Sequence, residues 1–221
     1  MSHEDGSESC RMHRGLFISF EGVEGAGKTT QIALLKAELE REGRRVFVTR
    51  EPGGDPIGEA IRAVLLDAVH PVTSRAELLL FMASRAQMVE RVLAPHLEAG
   101  EIVLCDRYTD SSVVYQGYAR GLDLDSIRTL NAFATGGLTP ALTFVLDLPA
   151  AVGLDRQTDR NRMEAESMAF HEAVRNGYIS EAKRDPERFK LIDAARSVEA
   201  VNTDILALVR EGLTALEGEL T

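Results

Sequence analysis

Apolar positions along the chain fall into two alternating patterns. Five short runs have strand length and composition: Leu16-Phe17-Ile18-Ser19-Phe20, then residues 45–49, 101–106, 143–147 and 189–193. The segments between them carry helical spacing. Residues 30–39 predict a helix that stops near Gly43, and residues 57–69 another, with Ile61, Val64, Leu65 and Ala68 on one face. Residues 74–97 predict one long helix, with Ser74 and Glu77 spaced as a capping box. Its stretch 78–82 is apolar nearly all round, which fits core packing or a subunit face. Helices are also predicted over 111–118, 124–134, 163–183 and 198–216, and Pro149 is placed to open one after the fourth strand. Strands alternating with helices predict an α/β fold with a mainly parallel five-stranded sheet.

No repeat or linker divides the chain of 221 residues, so residues 15–221 read as one domain preceded by a polar tail, 1–14. That tail lacks a signal peptide's apolar segment, and no apolar run approaches the ~18 residues of a membrane span. Cytoplasm is the expected location. The formal net charge of −10 argues against nucleic acid or an anionic membrane as partner. Two cysteines, Cys10 and Cys105, make no disulfide framework, and Cys105 in an apolar strand reads as a small buried residue. An anion bound by so acidic a chain must be held by local clusters of cations.

One such cluster follows the first strand. Gly22-Val23-Glu24-Gly25-Ala26-Gly27-Lys28-Thr29 fits the phosphate-binding pattern G-x-x-x-x-G-K-[ST], in the strand–turn–helix context it requires. Its glycines let the backbone turn N–H groups inward, and the following helix terminus favours an anion. Lys28 supplies a cation for the β- and γ-phosphates, and the Thr29 hydroxyl is placed for Mg²⁺. Arg50 and Arg107 each come at the carboxyl end of a strand, the edge where open α/β sheets bind ligands. Asp106 ends the third strand, as a Mg²⁺ ligand or as a cap or ion-pair partner; Asp147 ends the fourth and reads as structural. Phe81 and Arg85 share a helix face, a ring and a guanidinium able to meet a base. Arg156, Arg160 and Arg162 sit in a polar insert, residues 156–162, able to close as a lid over phosphates. Two facing anion sites indicate a kinase acting on a phosphate-bearing small molecule. If the acceptor is a phosphate oxygen, it is already ionised and needs no general base, and no histidine lies beside a motif.

These residues resemble the bacterial thymidylate kinase family. The likeness rests on residues 20–31, Thr49-Arg50-Glu51-Pro52-Gly53-Gly54, Phe81-Met82-Ala83-Ser84-Arg85, Asp106-Arg107-Tyr108, Tyr115-Gln116-Gly117 and Arg162-Met163-Glu164, in family order over residues 15–216. The resemblance implies a P-loop NTPase three-layer fold with a short lid, and a homodimer. It implies transfer of the γ-phosphate of ATP to dTMP with Mg²⁺, giving dTDP and ADP. It implies that Glu24 holds the 3′-hydroxyl, Arg50 and Arg107 the dTMP phosphate, and Phe81 the thymine ring. Arg85 and Ser112 would read the base edge with support from Gln116, and Tyr115 would block a 2′-hydroxyl. Thr29, Asp106 and Glu166 would serve the metal. Lys28, Arg107, Arg156 and Arg160 would act in transfer, the lid supplying cations that the loop's variable positions lack. The competing readings are a nucleoside monophosphate kinase of other base preference and a nucleotide-dependent switch; the N-K-x-D base-reading pattern of a GTPase is missing from the chain.

Overall fold

The computed structural model describes residues 15–156, 162–163 and 165–219. Strands β1 (Phe17–Gly22), β2 (Val46–Arg50), β3 (Ile102–Asp106), β4 (Leu142–Asp147) and β5 (Phe189–Asp193) form one parallel sheet in the order β2-β3-β1-β4-β5. Each lies within two residues of its predicted place. The helices are α1 (Lys28–Arg41), α2 (Pro56–Leu66), α3 (Ser74–Met88), α4 (Ala94–Glu98), α5 (Thr109–Ser112), α6 (Leu124–Thr135), α7 (Ala150–Asp155), α8 (Met168–Arg184) and α9 (Val198–Glu219). No helix among the described residues is long and apolar enough to cross a membrane.

β1 is central, and its alternating side chains feed two cores. Ile18 and Phe20 pack with Leu35, Leu39, Phe144 and Ile205 on one face, while Phe17 packs with Met88, Leu93, Val103 and Tyr108 on the other. Helices cover both faces, as a wholly parallel sheet requires. Cys105 is buried as expected, its thiol donating to the Arg107 carbonyl at 3.0 Å. The carboxyl ends of β1, β2 and β3 meet at one edge, and the chain leaves β1 there through the glycine loop.

Three predicted helix details differ. Residues 74–97 are not one regular α-helix: a π-helical stretch, Val89–Leu93, joins α3 to α4. Pro95 follows it, and a proline has no N–H for the carbonyl four residues back and crowds it, so the ladder widens there. The capping box is also absent. Thr73 caps α3 without a side-chain bond, because the Glu77 carboxylate is fully buried and taken by Gln116, Arg120 and Arg162. The helix expected from residue 163 begins at Met168, where the Ser167 hydroxyl accepts from the Phe170 N–H at 3.2 Å. Asp147 proves structural as an ion pair, accepting from Arg175 at 2.7 and 2.9 Å.

One contact that local pattern did not flag joins α7 to the glycine loop. A Cβ on Gly25 would lie 2.1 Å from the Gly153 carbonyl oxygen, and one on Gly153 would lie 2.1 Å from that of Glu24. Two backbones meet with no room for a side chain on either. Gly153→Ala is therefore expected to cost ~1–3 kcal/mol through overpacking, read as a lower thermal midpoint; a variant melting with the wild type would show that the contact yields freely.

Candidate functional site

The glycine loop takes the backbone form its sequence requires. Gly22, Gly25 and Gly27 have φ of 136°, 71° and 94°, where a Cβ is strained. Lys28 opens α1 and is buried, its ammonium donating to the carbonyls of Val23 at 3.2 Å and Gly22 at 3.4 Å. Burial and the neighbouring Arg107 lower its pKa against the opposing pull of Glu24, Asp106 and Glu21. The Thr29 hydroxyl donates to Asp106 Oδ2 at 3.3 Å, bringing two oxygen ligands from α1 and β3 together. That donor chemistry fits a hard cation such as Mg²⁺, which keeps several of its waters. No cluster of three or more His, Cys, Asp or Glu able to hold a metal occurs among the described residues.

Beside the loop opens a cavity of about 440 Å³ bordered by Glu24, Lys28, Arg50, Phe81, Arg107 and Tyr115, among others. Arg107 has φ 72°, the only positive value outside glycine among the described residues. Its backbone is held on both sides: its own N–H donates to the Phe20 carbonyl at 2.9 Å and the next N–H, of Tyr108, to Glu21 at 2.8 Å. The guanidinium donates to Glu24 at 2.7 Å, to the Tyr178 hydroxyl at 3.1 Å and to Ser111 at 3.3 Å, and lies 5.1 Å over the Tyr115 ring. Burial pushes the Glu24 carboxyl up, but Arg107 and Lys28 together outweigh it and bring it down to about 2. Glu21, sealed beneath, is pushed up to about 7 by burial and by Asp110, against Arg107 and the hydroxyls of Ser111 and Tyr178. Arg50 is exposed at the mouth and pairs with Glu59 at 3.1 Å. Arg62, which sequence reasoning missed, borders the same space and donates to the Pro52 carbonyl at 2.9 Å. Only its place on α2 reveals it.

Phe81, Arg85, Ser112, Tyr115 and Gln116 also border the cavity. The last two lie on a π-helical stretch, Val113–Ala119, that continues α5. The Arg85 guanidinium is buried in the wall. It donates to both Glu51 oxygens, at 2.5–3.0 Å, to the Tyr108 carbonyl at 3.1 Å and to Asn131 at 2.5 Å. Its Nη1, the donor to Asn131, also meets a soft acceptor, Met82 Sδ, at 3.8 Å. Glu51 thus balances the charge of Arg85, a role invisible without the fold. Ser112 Oγ is buried beside the cavity with no hydrogen-bond partner among the described residues, an arrangement that a native structure rarely keeps without a ligand or water.

The insert's arginines divide. Arg156 borders the cavity and donates to the Gly25 carbonyl at 3.0 Å. Arg162 turns away, to Glu77 at 2.6 Å and the Leu65 carbonyl at 3.0 Å, and anchors the insert's far end. Arg160 lies outside the described residues, as do most of the insert and the tail 1–14. Glu166 does not join Thr29 and Asp106: it pairs with Arg120 at 2.9 Å and does not border the cavity, so the expected metal role is not supported. None of the described histidines borders the cavity.

Comparison with known proteins agrees with this geometry. A family model described as thymidylate kinase matches residues 20–205. The chain is 49% identical over 212 residues to a thymidylate kinase of Citrifermentans bemidjiense, covering 91% of this chain and 94% of that one. It is 50% identical over 203 residues to one of Deinococcus radiodurans, covering 90% and 98%. A crystal structure of thymidylate kinase from Ehrlichia chaffeensis superposes with a TM-score of 0.74 at 32% identity, covering 88% of this chain and 98% of that one. With a phosphate loop, a facing arginine and an aromatic-lined cavity assembled at one sheet edge, and with matches of this extent, the chain belongs to the thymidylate kinase family.

Proposed function

We propose that the chain transfers the γ-phosphate of ATP to dTMP, giving dTDP and ADP. The observation that carries this reading is that the glycine loop and Arg107 wall one cavity, the Arg107 guanidinium lying 2.7 Å from Glu24 inside the loop. Donor and acceptor phosphates then meet between Lys28 and Arg107. The backbone N–H groups of the loop and Lys28 hold the β- and γ-phosphates. Thr29 and Asp106 would hold Mg²⁺, which when bound would offset phosphate charge. Arg107 and Arg50, with Arg62 beside them, take the acceptor phosphate, whose oxygen is already an anion. Catalysis is then positioning and charge stabilisation, and Arg156 brings a further cation from the insert.

The rest of the cavity fits a deoxynucleoside. Phe81 stacks on thymine, and Ser112, Arg85 and Gln116 face the base edge. Glu24, held ionised, accepts from the 3′-hydroxyl. The Tyr115 hydroxyl donates to Glu24 at 3.3 Å, which sets the ring against the sugar where a 2′-hydroxyl would crowd it. A smaller hollow of about 240 Å³, bordered by Gln31, Arg196 and Val198, adjoins the loop and suits the donor nucleoside.

We also propose a homodimer working in the cytoplasm. Ile57 and Val64 on α2, Leu79 on α3 and Phe133 on α6 are exposed, Phe133 at 87%, and α3 packs against both other helices. Apolar exposure of that kind on adjoining helices fits an interface.

Three measurements test these readings. A coupled assay with ATP and Mg²⁺ across dTMP, dUMP, dCMP, dGMP and UMP is expected to show dTMP as the best acceptor; another winner overturns the substrate assignment. Arg107→Ala is expected to lower kcat/KM for dTMP by about 100-fold or more while ATP binding, read by calorimetry, stays near wild type. Wild-type turnover in that variant refutes its role. Phe133→Asp combined with Leu79→Asp is expected to shift the sedimentation coefficient from dimer to monomer, and an unchanged coefficient rules out this interface.

A further inference from the structure

Glu77 is fully buried, yet the transfer reaction described above gives it no task. It sits on α3 one turn before Phe81, on the same helix face. Three side chains converge on its carboxylate: Arg120 at 2.7 and 3.2 Å, Arg162 at 2.6 Å and Gln116 Nε2 at 2.9 Å. Two guanidinium groups keep it ionised: burial raises its pKa, but the bonds from Arg120, Gln116 and Arg162 outweigh this and the net shift is downward. An ionised carboxylate only accepts hydrogen bonds. It therefore decides which way the Gln116 carboxamide points, a choice that shape alone leaves open because amide oxygen and nitrogen are nearly isosteric. The NH₂ group goes to Glu77, and the carbonyl oxygen turns from it. Gln116 borders the cavity, and no described residue donates to its Oε1.

We infer that Glu77 is a specificity-determining positioning residue: by fixing the Gln116 amide it makes the base end of the cavity present a hydrogen-bond acceptor. A pyrimidine with a ring N3–H, thymine or uracil, can donate to that acceptor. Cytosine cannot, because its N3 carries a lone pair that would face the carbonyl oxygen. This inference rests on the reading that the cavity takes dTMP, and it adds what rejects the amino-pyrimidine. It leaves the distinction between thymine and uracil to other groups.

The test is the ratio of dissociation constants, dCMP over dTMP, by calorimetry without ATP. The wild type is expected to favour dTMP by at least about tenfold, the size of one mis-set buried hydrogen bond. Gln116→Met is expected to remove about that factor. Glu77→Gln, which can donate to or accept from Gln116, is expected to lose most of it. Glu77→Asp, still an acceptor-only anion, is expected to keep more than Glu77→Gln. In a Gln116→Met background, Glu77→Gln is expected to change the ratio no further; if Glu77→Gln does not fold, Glu77→Asp takes its place in this comparison. A ratio near one in the wild type, a ratio unmoved by Gln116→Met, or a Glu77 effect that persists without the Gln116 amide overturns the inference. A wild type that binds no dTMP at all instead overturns the functional reading on which it stands.

Discussion

Cation and carboxylate pairing organises this molecule, and the contact of Arg107 with Glu24 is the pair on which the rest depends. A chain of net charge −10 must nevertheless gather positive groups where phosphates meet. A buried guanidinium left without a counter-charge is costly. Three arginines at the site are accordingly met by carboxylates, Arg107 by Glu24, Arg85 by Glu51 and Arg50 by Glu59, while Arg62 and Arg156 donate to backbone carbonyls. The pairs hold their cations in place by Coulomb attraction and directional hydrogen bonds, so positions are set by the fold and not by the ligand alone. The left-handed backbone of Arg107 belongs to the same device, since Glu21 draws the following N–H inward.

The division between what sequence reveals and what it hides follows the range of the interactions. The five strands were legible because each is a short dense run of apolar residues, and the glycine loop because its function needs fixed residues at fixed spacing. Arg50 and Arg107 could be placed because strand ends in a parallel sheet share one edge. What escaped depends on residues far apart in the chain. Glu51 matters through Arg85, Gly153 through the backbone of Glu24 and Gly25, and Arg62 through the packing of α2 beside the cavity. Ser74 and Glu77 show local pattern yielding to tertiary demand: the spacing is right for a cap, yet the carboxylate is taken by side chains 39 to 85 positions away. Glu166 is similar, an acidic residue near the lid whose partner turns out to be Arg120.

The π-helical stretches mark two other limits of periodicity. Val89–Leu93 precedes a proline that a regular ladder does not accommodate. Val113–Ala119 carries Tyr115 and Gln116, neighbours in sequence that both border the cavity. Spacing rules built on 3.6 residues per turn misplace faces in such segments.

The backbone contact between Gly25 and Gly153 has a mechanical corollary. Because α7 is seated on the phosphate loop with no side chain between the two backbones, displacing that helix displaces Glu24 and Gly25 with it. Arg156, which closes α7, also donates to the Gly25 carbonyl, so its cation is referenced to the loop twice over. Where that charge sits is a property of backbone fit as much as of electrostatics.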